Sequence, residues 1–413
     1  MEQGGAAVDI AGFPAGHRGS ERIAPCLTSP RVCGNAKLKP RQAIRARAIY
    51  RDFVVPGDAA ALRDKTVRRC RSGSAARYSH AMRQGSNRRG FLRLAGAAAA
   101  AAAAGAAAGC SGPKPPAGAP GAEGVTITHL FGKTVIKAPP KRVVSAGFTE
   151  QDDLLALGVV PIAMTNWFGD QPFAVWPWAQ SKLGGAQPVV LNLDNGIPVD
   201  QISGLKPDLI VAINAGLDAD TYQKLSAIAP TVAQSDGDAF FEPWKDQATA
   251  IGQAVFQPDQ MKALIDGVDK QFVAVSQNHP QWIAKRALLM QGSLFRGSVV
   301  ATAAGWRTDF LNQMGLVIAD SIKPFVNGHR AVIPRDQIKT VLDSADVVIW
   351  TTESPDEQKA VLADTEVAGS QATAQNRHVF TTKDQAGAIA FASPLSYPVV
   401  ADQLPPMIGK ILG

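Results

Sequence analysis

The sequence predicts an α/β fold of two lobes with mainly parallel sheets, joined by one long helix. Beyond residue 125, short apolar runs alternate with helical stretches, a pattern typical of parallel sheets covered by helices. One long helical pattern divides these runs into two sets. A short motif also occurs once in each set: Asp-Gln-Ile, then a leucine, then an aspartate that opens an apolar strand. It runs from Asp200 to Asp208 and from Asp336 to Asp346.

The first folded element is a predicted β-hairpin. Residues 125–128 and 134–136 alternate apolar and polar side chains around a Phe-Gly-Lys turn. Strands of the first set are then predicted at residues 142–145, 162–165, 189–191, 209–213 and 231–233. Strands of the second set are predicted at residues 287–291, 298–301, 316–319, 347–350 and 379–381.

The long helix is predicted over residues 258–279. Apolar residues recur along one face at three- and four-residue steps, and Pro258 and Pro280 suit its first turn and its end. Some twenty residues span roughly 30 Å, the width of a small domain. We therefore expect an N-terminal lobe at residues 125–257, a linking helix at 258–279 and a C-terminal lobe at 280–413. The apolar positions are Met261, Leu264, Ile265, Val268, Phe272 and Val275.

The N-terminal quarter of the chain is not expected to belong to the folded part. Residues 1–81 show no sustained apolar period and many arginines, which indicates a disordered or mis-annotated leader. Residues 82–109 combine Arg88 and Arg89 with an alanine-rich run, which predicts a twin-arginine lipoprotein signal peptide. Ala-Ala-Gly-Cys at its end resembles the bacterial lipobox and predicts lipidation of Cys110, with residues 110–124 as the lipidated tether.

Charge is distributed unevenly along the chain. The formal charge is +7, yet 19 of the 42 basic residues and only 6 of the 35 acidic ones lie up to Gly109. From Cys110 onward 23 basic residues face 29 acidic ones. Because nucleic-acid binding requires a basic patch on the folded domain, we expect no nucleic-acid partner. The four cysteines lie at or before Cys110, so the folded part can form no internal disulfide.

Several separated motifs resemble the iron-siderophore/cobalamin class of periplasmic solute-binding proteins of ABC importers. In chain order they are PKRVVS at 140–145, TE at 149–150 with LLALG at 154–158, LKPDLI at 205–210, PRDQI at 334–338 and ASP at 392–394. The resemblance runs from about residue 125 to residue 413 and implies the class III periplasmic-binding-protein fold, with the ligand in the cleft between the lobes.

The resemblance also implies a function. We expect an actinobacterial-type lipoprotein, lipid-anchored through Cys110 on the extracytoplasmic face of the cell membrane. It would capture a ferric siderophore or haem and deliver it to an ABC permease, as a monomer with no enzymatic activity and no cofactor. Family members carry a carboxylate on each lobe that meets arginines of the permease, and the matching residues are Asp200 and Asp336. Both aspartates could also cap short helices, and the two roles can coexist.

Candidate ligand contacts follow the predicted strands. Ligands of such sheets bind at the carboxyl ends of strands, where aromatic rings give contact area and guanidinium groups meet anionic oxygens. The candidates are Trp167, Phe168, Asn214, Phe240, Phe241, Phe295, Arg296, Arg307, His329, Arg330, Asp384 and Gln385. No metal site is expected. Only with haem as the ligand would His329, or a tyrosine such as Tyr397, be an iron ligand.

Three alternatives stay open from the sequence alone. Cobalamin is the second candidate ligand, and a non-transport lipoprotein or a hydrolase on the same fold are the other classes. A hydrolase is disfavoured because the G-x-S-x-G motif of α/β-hydrolases is missing. Substrate turnover would indicate the enzyme, and stoichiometric binding without product would indicate the carrier.

Overall fold

The computed structural model of the protein describes residues 124–237 and 240–413. The predicted leader, the signal peptide and Cys110 with most of its tether lie outside the described residues. In the described part of the chain, no helix is both long enough and apolar enough to span a bilayer.

The folded part begins with an antiparallel hairpin of β1 (Val125–His129) and β2 (Gly132–Ile136). Ile127 and Ile136 point inward and are buried, while the alternate positions are exposed. The alternation that predicted the hairpin is therefore the division between its two faces.

A parallel sheet of five strands follows, with the order β5-β4-β3-β6-β7. Its strands other than the edge strand β5 are buried, as expected of a parallel sheet that is covered by helices. The strands are β3 (Val143–Ser145), β4 (Ala163–Thr165), β5 (Val189–Leu191), β6 (Leu209–Ala212) and β7 (Thr231–Ala233). The helices of this half are α1 (Glu150–Ala156), α2 (Pro177–Gln180), α3 (Val199–Gly204), α4 (Ala219–Ser226) and α5 (Trp244–Ala254), with 3₁₀ turns at Pro172–Ala174 and Ser181–Leu183.

The long helix α6 (Pro258–Asn278) links this half to the next, within one residue of the predicted range. Its buried face consists of Met261, Ile265, Val268 and Phe272. On another face, Asp269 accepts hydrogen bonds from Lys245 Nζ of α5 at 2.6 Å and from Gln313 Nε2 of the second half at 2.9 Å. The helix is thus attached to both halves along its length.

The second half contains a mixed sheet with the order β11-β12-β9-β8-β13-β14, and β10 also pairs with β8. The pairs β8–β10, β8–β13 and β13–β14 are parallel, whereas the pairs β8–β9, β9–β12 and β12–β11 are antiparallel. The strands are β8 (Arg286–Gln291), β9 (Val299–Thr302), β10 (Val317–Ile318), β11 (Val326–Asn327), β12 (Arg330–Ile333), β13 (Val347–Thr351) and β14 (His378–Phe380).

Helices of the second half cover this sheet and continue to the end of the chain. They are α7 (Asp309–Gln313), α8 (Ile338–Asp343), α9 (Pro355–Ala363), α10 (Thr365–Ala368), α11 (Gln371–Ala374), α12 (Lys383–Phe391) and α13 (Tyr397–Leu412), with 3₁₀ turns at Pro280–Trp282, Asp320–Phe325 and Arg335–Gln337.

In both halves, the last aspartate of the repeated motif links the starts of two parallel strands by hydrogen bonds. Asp208 accepts the backbone N–H groups of Lys141 and Arg142 at 2.8 Å, and Asp346 accepts that of Arg286 at 2.8 Å. Each aspartate thereby joins the start of its own strand to the start of a neighbouring parallel strand.

The prediction that Asp200 and Asp336 cap their helices was wrong. Pro198 and Pro334 occupy the capping positions, so the aspartates lie within the first turn and make no capping hydrogen bond. A cap must precede the first turn for its side chain to accept from the turn's N–H groups. Both carboxylates are exposed to solvent instead.

Candidate functional site

A cavity of about 380 Å³ lies between the two halves, where strands of the second sheet end. Its volume is typical of a small-molecule site. Of the described residues in the first half, Phe168, Phe240 and Phe241 line it. The charged residues of the described lining, Arg307, Arg330, Glu353 and Glu357, all belong to the second half. The other lining residues of this half are Leu289, Gln291, Gly292, Ser293, Thr302, Trp306, Asn327, His329, Thr351, Ala386, Ile389, Ala390, Ala392 and Tyr397.

An aromatic cluster supports the phenylalanine wall from behind. Trp167 is buried there, with its ring centroid 4.6 Å from Phe168 and 5.1 Å from Phe241. Phe391 of α12 comes within 5.6 Å of Trp167, so the cluster includes a residue of the second half. Aromatic pairs at these separations contribute about 0.5–1.5 kcal/mol beyond burial. The cluster therefore holds both halves against this wall of the cavity.

Asn214 fixes the backbone that carries Phe241. Its side-chain oxygen accepts the N–H groups of Phe241 at 2.9 Å and Glu242 at 3.1 Å. Its Nδ2 donates to Thr149 Oγ1 at 2.9 Å, and its own N–H donates to Glu150 Oε1 at 2.8 Å. Phe241 has φ of +70°, an unfavourable region for a bulky residue, so these bonds hold a strained turn in place.

Three buried acids continue this network. Burial raises the pKa of Glu150 to about 7 and that of Asp152 to about 6, and it raises the pKa of Asp153 well above its usual value. Asp152 Oδ2 accepts from Trp178 Nε1 at 2.8 Å and from Ser393 Oγ at 2.7 Å. The network thus reaches from α1 to the segment that precedes α13.

Cationic and aromatic side chains form one wall of the cavity in the second half. The guanidinium of Arg307 lies 4.3 Å from the ring centroid of Trp306 and 4.8 Å from that of Phe241. The ring of His329 lies 6.2 Å from that of Trp306, and Arg330 opens β12 beside Thr302 of β9. Stacked guanidinium and imidazole groups of this kind can bind anionic oxygens of a ligand.

Hydrogen-bond acceptors form another wall at the ends of β8 and β13. Gln291 lies opposite Thr351 in the register of these strands, and Glu353 follows two residues later. Glu357 Oε2 accepts the backbone N–H of Glu353 at 2.6 Å. Burial, and then the charge of Glu357, raise the pKa of Glu353 above its usual value. Glu353 and Glu357 were not among the predicted contacts, although Glu353 follows the carboxyl end of β13, where the strand-end rule places ligand contacts.

The predicted contacts divide into two groups. Those that line the cavity are Phe168, Phe240, Phe241, Arg307, His329 and Arg330; those outside its lining are Trp167, Asn214, Phe295, Arg296, Asp384 and Gln385. Phe295 and Arg296 lie in a tight turn closed by two backbone bonds between Phe295 and Ser298. Asp384 is exposed, and Gln385 completes the capping box of α12. Contact with a ligand stays a prediction for both groups.

Comparisons with known proteins agree with this architecture. The family described as periplasmic binding protein matches residues 143–386. The chain is 65% identical to a periplasmic solute-binding protein from Mycobacterium smegmatis str. MC2 155, whose crystal structure aligns with a TM-score of 0.68 over 70% of this chain and 99% of that one. The structure of PiaA from Streptococcus pneumoniae TIGR4 in complex with ferrichrome has 22% identity and a TM-score of 0.60, over 70% of this chain and 98% of that one.

A curated relative covers a smaller part of the chain. The probable siderophore-binding lipoprotein YfiY of Bacillus subtilis is 35% identical over 150 residues, which are 35% of this chain and 42% of that protein. The match therefore spans less than half of this relative's length.

Proposed function

Because the chain belongs to the periplasmic binding protein family, we propose that it captures a ferric siderophore between its two halves and delivers it to the permease of an ABC importer. The predicted class III periplasmic-binding-protein fold is confirmed by the solved structures it resembles. The matched family and the similar structures are binding proteins, and we extend this to the absence of turnover in this chain.

The observation that carries this proposal is the contrast between the cavity walls. Phe168, Phe240 and Phe241 offer flat apolar surface, while Arg307 and Arg330 offer positive charge. A ferric siderophore combines an apolar or aromatic periphery with anionic oxygens around iron, so it suits both walls. The name of the relative YfiY supports the same ligand class.

Titration of intrinsic tryptophan fluorescence tests this proposal, because Trp306 lines the cavity. The purified protein is titrated with ferric hydroxamate, catecholate and citrate chelates, haem and cobalamin. We expect saturable one-to-one quenching by at least one ferric chelate, and recovery of the chelate unchanged. If only cobalamin or haem binds, the proposed ligand class is wrong. Repeated conversion of a chelate would indicate an enzyme.

Haem is titrated separately because His329, which could be an iron ligand, lines the cavity. If haem binds, loss of its Soret shift in His329→Ala would identify His329 as the axial ligand. An unchanged spectrum in that variant would exclude this role.

Docking on the permease is proposed to use Asp200 and Asp336, which are exposed near the start of equivalent helices in the two halves. Exposed ion pairs contribute about 0–1 kcal/mol each, so these would orient the complex more than they tighten it. Asp200→Arg with Asp336→Arg should abolish iron uptake in cells and leave chelate binding intact. Asp220→Arg with Asp259→Arg reverses two other exposed aspartates and should leave uptake normal. Normal uptake in the first pair would contradict the docking role.

Lipid anchoring through Cys110 is proposed from the sequence, and it places the protein on the extracytoplasmic face of the membrane. Cys110→Ser should move the protein from the membrane fraction to the soluble fraction and remove labelling by a radioactive fatty acid. Continued labelling would exclude Cys110 as the lipidated residue. We further propose that the protein is a monomer, which light scattering of the purified protein would test.

A further inference from the structure

The acceptor wall, which we define as Gln291, Glu353 and Glu357, supplies negative charge to a cavity expected to bind an anionic chelate. The backbone register places Gln291 at the end of β8 and Glu353 just beyond the end of the adjacent β13. Glu357 follows on the first turn of α9. The wall is therefore built by adjacent strand ends and a helix start, in a fixed arrangement.

Two members of the acceptor wall, Gln291 and Glu353, have side-chain oxygens without a donor among the described residues. Among the described residues, Gln291 Oε1 is buried without a hydrogen-bond partner, and no hydrogen bond to the Glu353 carboxylate contributes to the shift of its pKa. Glu357 accepts the N–H of Glu353. Lys383 lowers the pKa of Glu353, but less than burial and Glu357 raise it, and its Nζ donates to the Gly169 carbonyl at 2.7 Å. A donor from outside the protein would satisfy these acceptors.

Tyr397 provides an independent indication that a ligand occupies this cavity. Its side chain is only 2% exposed and lines the cavity, and its hydroxyl has no hydrogen-bond partner within the described part of the chain. Buried hydroxyls are generally hydrogen-bonded, since leaving one unpaired costs about 1–3 kcal/mol. A bound molecule that reaches Tyr397 would also reach the acceptor wall of the same cavity.

The sheet separates the positive and negative walls. Its order β12-β9-β8-β13 places Arg330 at one side and Glu353 at the other. Neighbouring strands lie roughly 4.8 Å apart, so three spacings separate β12 from β13 by roughly 14 Å. This distance accommodates an iron-oxygen centre together with a side arm.

We infer that the ligand is a ferric chelate whose arm ends in a cationic amine, which Glu353 and Gln291 bind while Arg307 and Arg330 face the chelate oxygens. This inference rests on the proposed function and names the class of chelate. A protonated amine supplies the donors that both acceptors lack. A neutral arm would leave the Glu353 carboxylate partly desolvated with no cation hydrogen-bonded to it, since Lys383 Nζ donates to Gly169, and this is unfavourable.

The test compares two chelates that differ in one charge. A linear ferric trihydroxamate with a terminal primary amine and its N-acetyl derivative have the same iron centre. Wild-type protein should bind the amine form at least tenfold more tightly. Glu353→Gln should reduce this preference to less than twofold, mainly by weakening the amine form. Asp356→Asn removes a neighbouring carboxylate, 92% exposed, and should retain the full preference.

Each result decides between the two proposals. Equal affinity of wild-type protein for both forms, or a preference for the acetylated one, overturns the amine inference and leaves the proposed function standing. The same holds if other ferric chelates bind and this pair does not. If no ferric chelate binds at all, both proposals fall. A retained preference in Glu353→Gln would overturn the role of Glu353.

Discussion

The two halves of the molecule share a joint but contribute different chemistry to the cavity. In each half an aspartate, Asp208 or Asp346, joins the starts of two parallel strands. Yet among the residues that the structure describes, the first half lines the cavity with phenylalanines, and the charged lining comes from the second half. The difference teaches that a repeated scaffold can assign shape complementarity to one half and charge recognition to the other.

Sheet topology explains this division. The first sheet is entirely parallel, and its strands other than the edge strand β5 are buried. The second sheet adds antiparallel strands β9, β12 and β11, which place Thr302, Arg330 and Asn327 along the cavity. Antiparallel strands tolerate a polar face, so this extension brings polar side chains to the ligand.

The largest expected effect concerns stability of the first half, whose apolar wall depends on uncharged buried acids. Burial raises the pKa of Glu150 to about 7, so the folded state binds its proton more tightly than the unfolded state. The stabilisation of the folded state by this proton is complete below the unfolded pKa of about 4.3 and is lost as pH rises through the folded pKa of about 7. The free energy of unfolding should fall between pH 5 and pH 8, roughly 2–3 kcal/mol of it through Glu150.

Urea unfolding across this pH range measures the effect. Glu150→Gln keeps the shape and removes the titration, so its stability should depend less on pH. Asp200→Asn, an exposed acid in the same half, should retain the wild-type dependence. A wild-type protein that grows more stable from pH 5 to pH 8 would contradict the neutral network.

The next effect concerns charge recognition by the second half. Arg307→Ala should weaken binding of the ferric chelate by about 1.5–3 kcal/mol, because a charged hydrogen bond is lost. Arg296→Ala is the matched control, since Arg296 stacks on its neighbour Phe295 at 5.2 Å outside the cavity lining. We expect less than a twofold change there by calorimetry. Equal losses of affinity in both variants would mean that Arg296 also contacts the ligand.

The sequence predicted elements that have a strong local period. The linking helix was predicted within one residue because its apolar face repeats over 21 residues between two prolines. The hairpin of β11 and β12 was missed because Val326–Asn327 is only two residues long and Arg330–Ile333 begins with a polar residue. Pairing with β9 stabilises this hairpin, and such a long-range contact has no local signal.

The candidate site was predictable in position more than in orientation. The strand-end rule indicates Phe168 and Phe241, which line the cavity, but it equally indicates Trp167, which is buried behind them. Which of two consecutive aromatic residues faces a cavity depends on tertiary packing. Tyr397 was considered only as a haem ligand, since the start of a final helix carries no sequence signal for a cavity.

A smaller effect is expected at Tyr397, and it tests whether this residue of the second half also contacts the ligand. Tyr397→Phe removes a hydroxyl that has no partner among the described residues, so stability should stay within about 0.5 kcal/mol of wild type. Chelate binding should weaken by about 0.5–1.5 kcal/mol, because the hydroxyl would bond the ligand. Calorimetric titration and thermal unfolding of the same samples separate these outcomes. Unchanged affinity would show that the Tyr397 hydroxyl does not contact the ligand.

The smallest expected effect concerns the arginines beside Asp208 and Asp346, the two aspartates that link the starts of parallel strands. Arg286 forms an ion pair with Asp346 at 3.0 Å, whereas Arg142 donates to the carbonyl oxygens of Leu205 at 2.6 Å and Lys206 at 3.0 Å. Arg286→Gln and Arg142→Gln should each cost about 1 kcal/mol or less, since both sites are exposed. In 1 M salt the loss in Arg286→Gln should shrink, because the screening length falls to about 3 Å, and the loss in Arg142→Gln should stay unchanged. Urea unfolding at two salt concentrations measures both, and identical salt dependence would mean that the two joints are held by the same interaction.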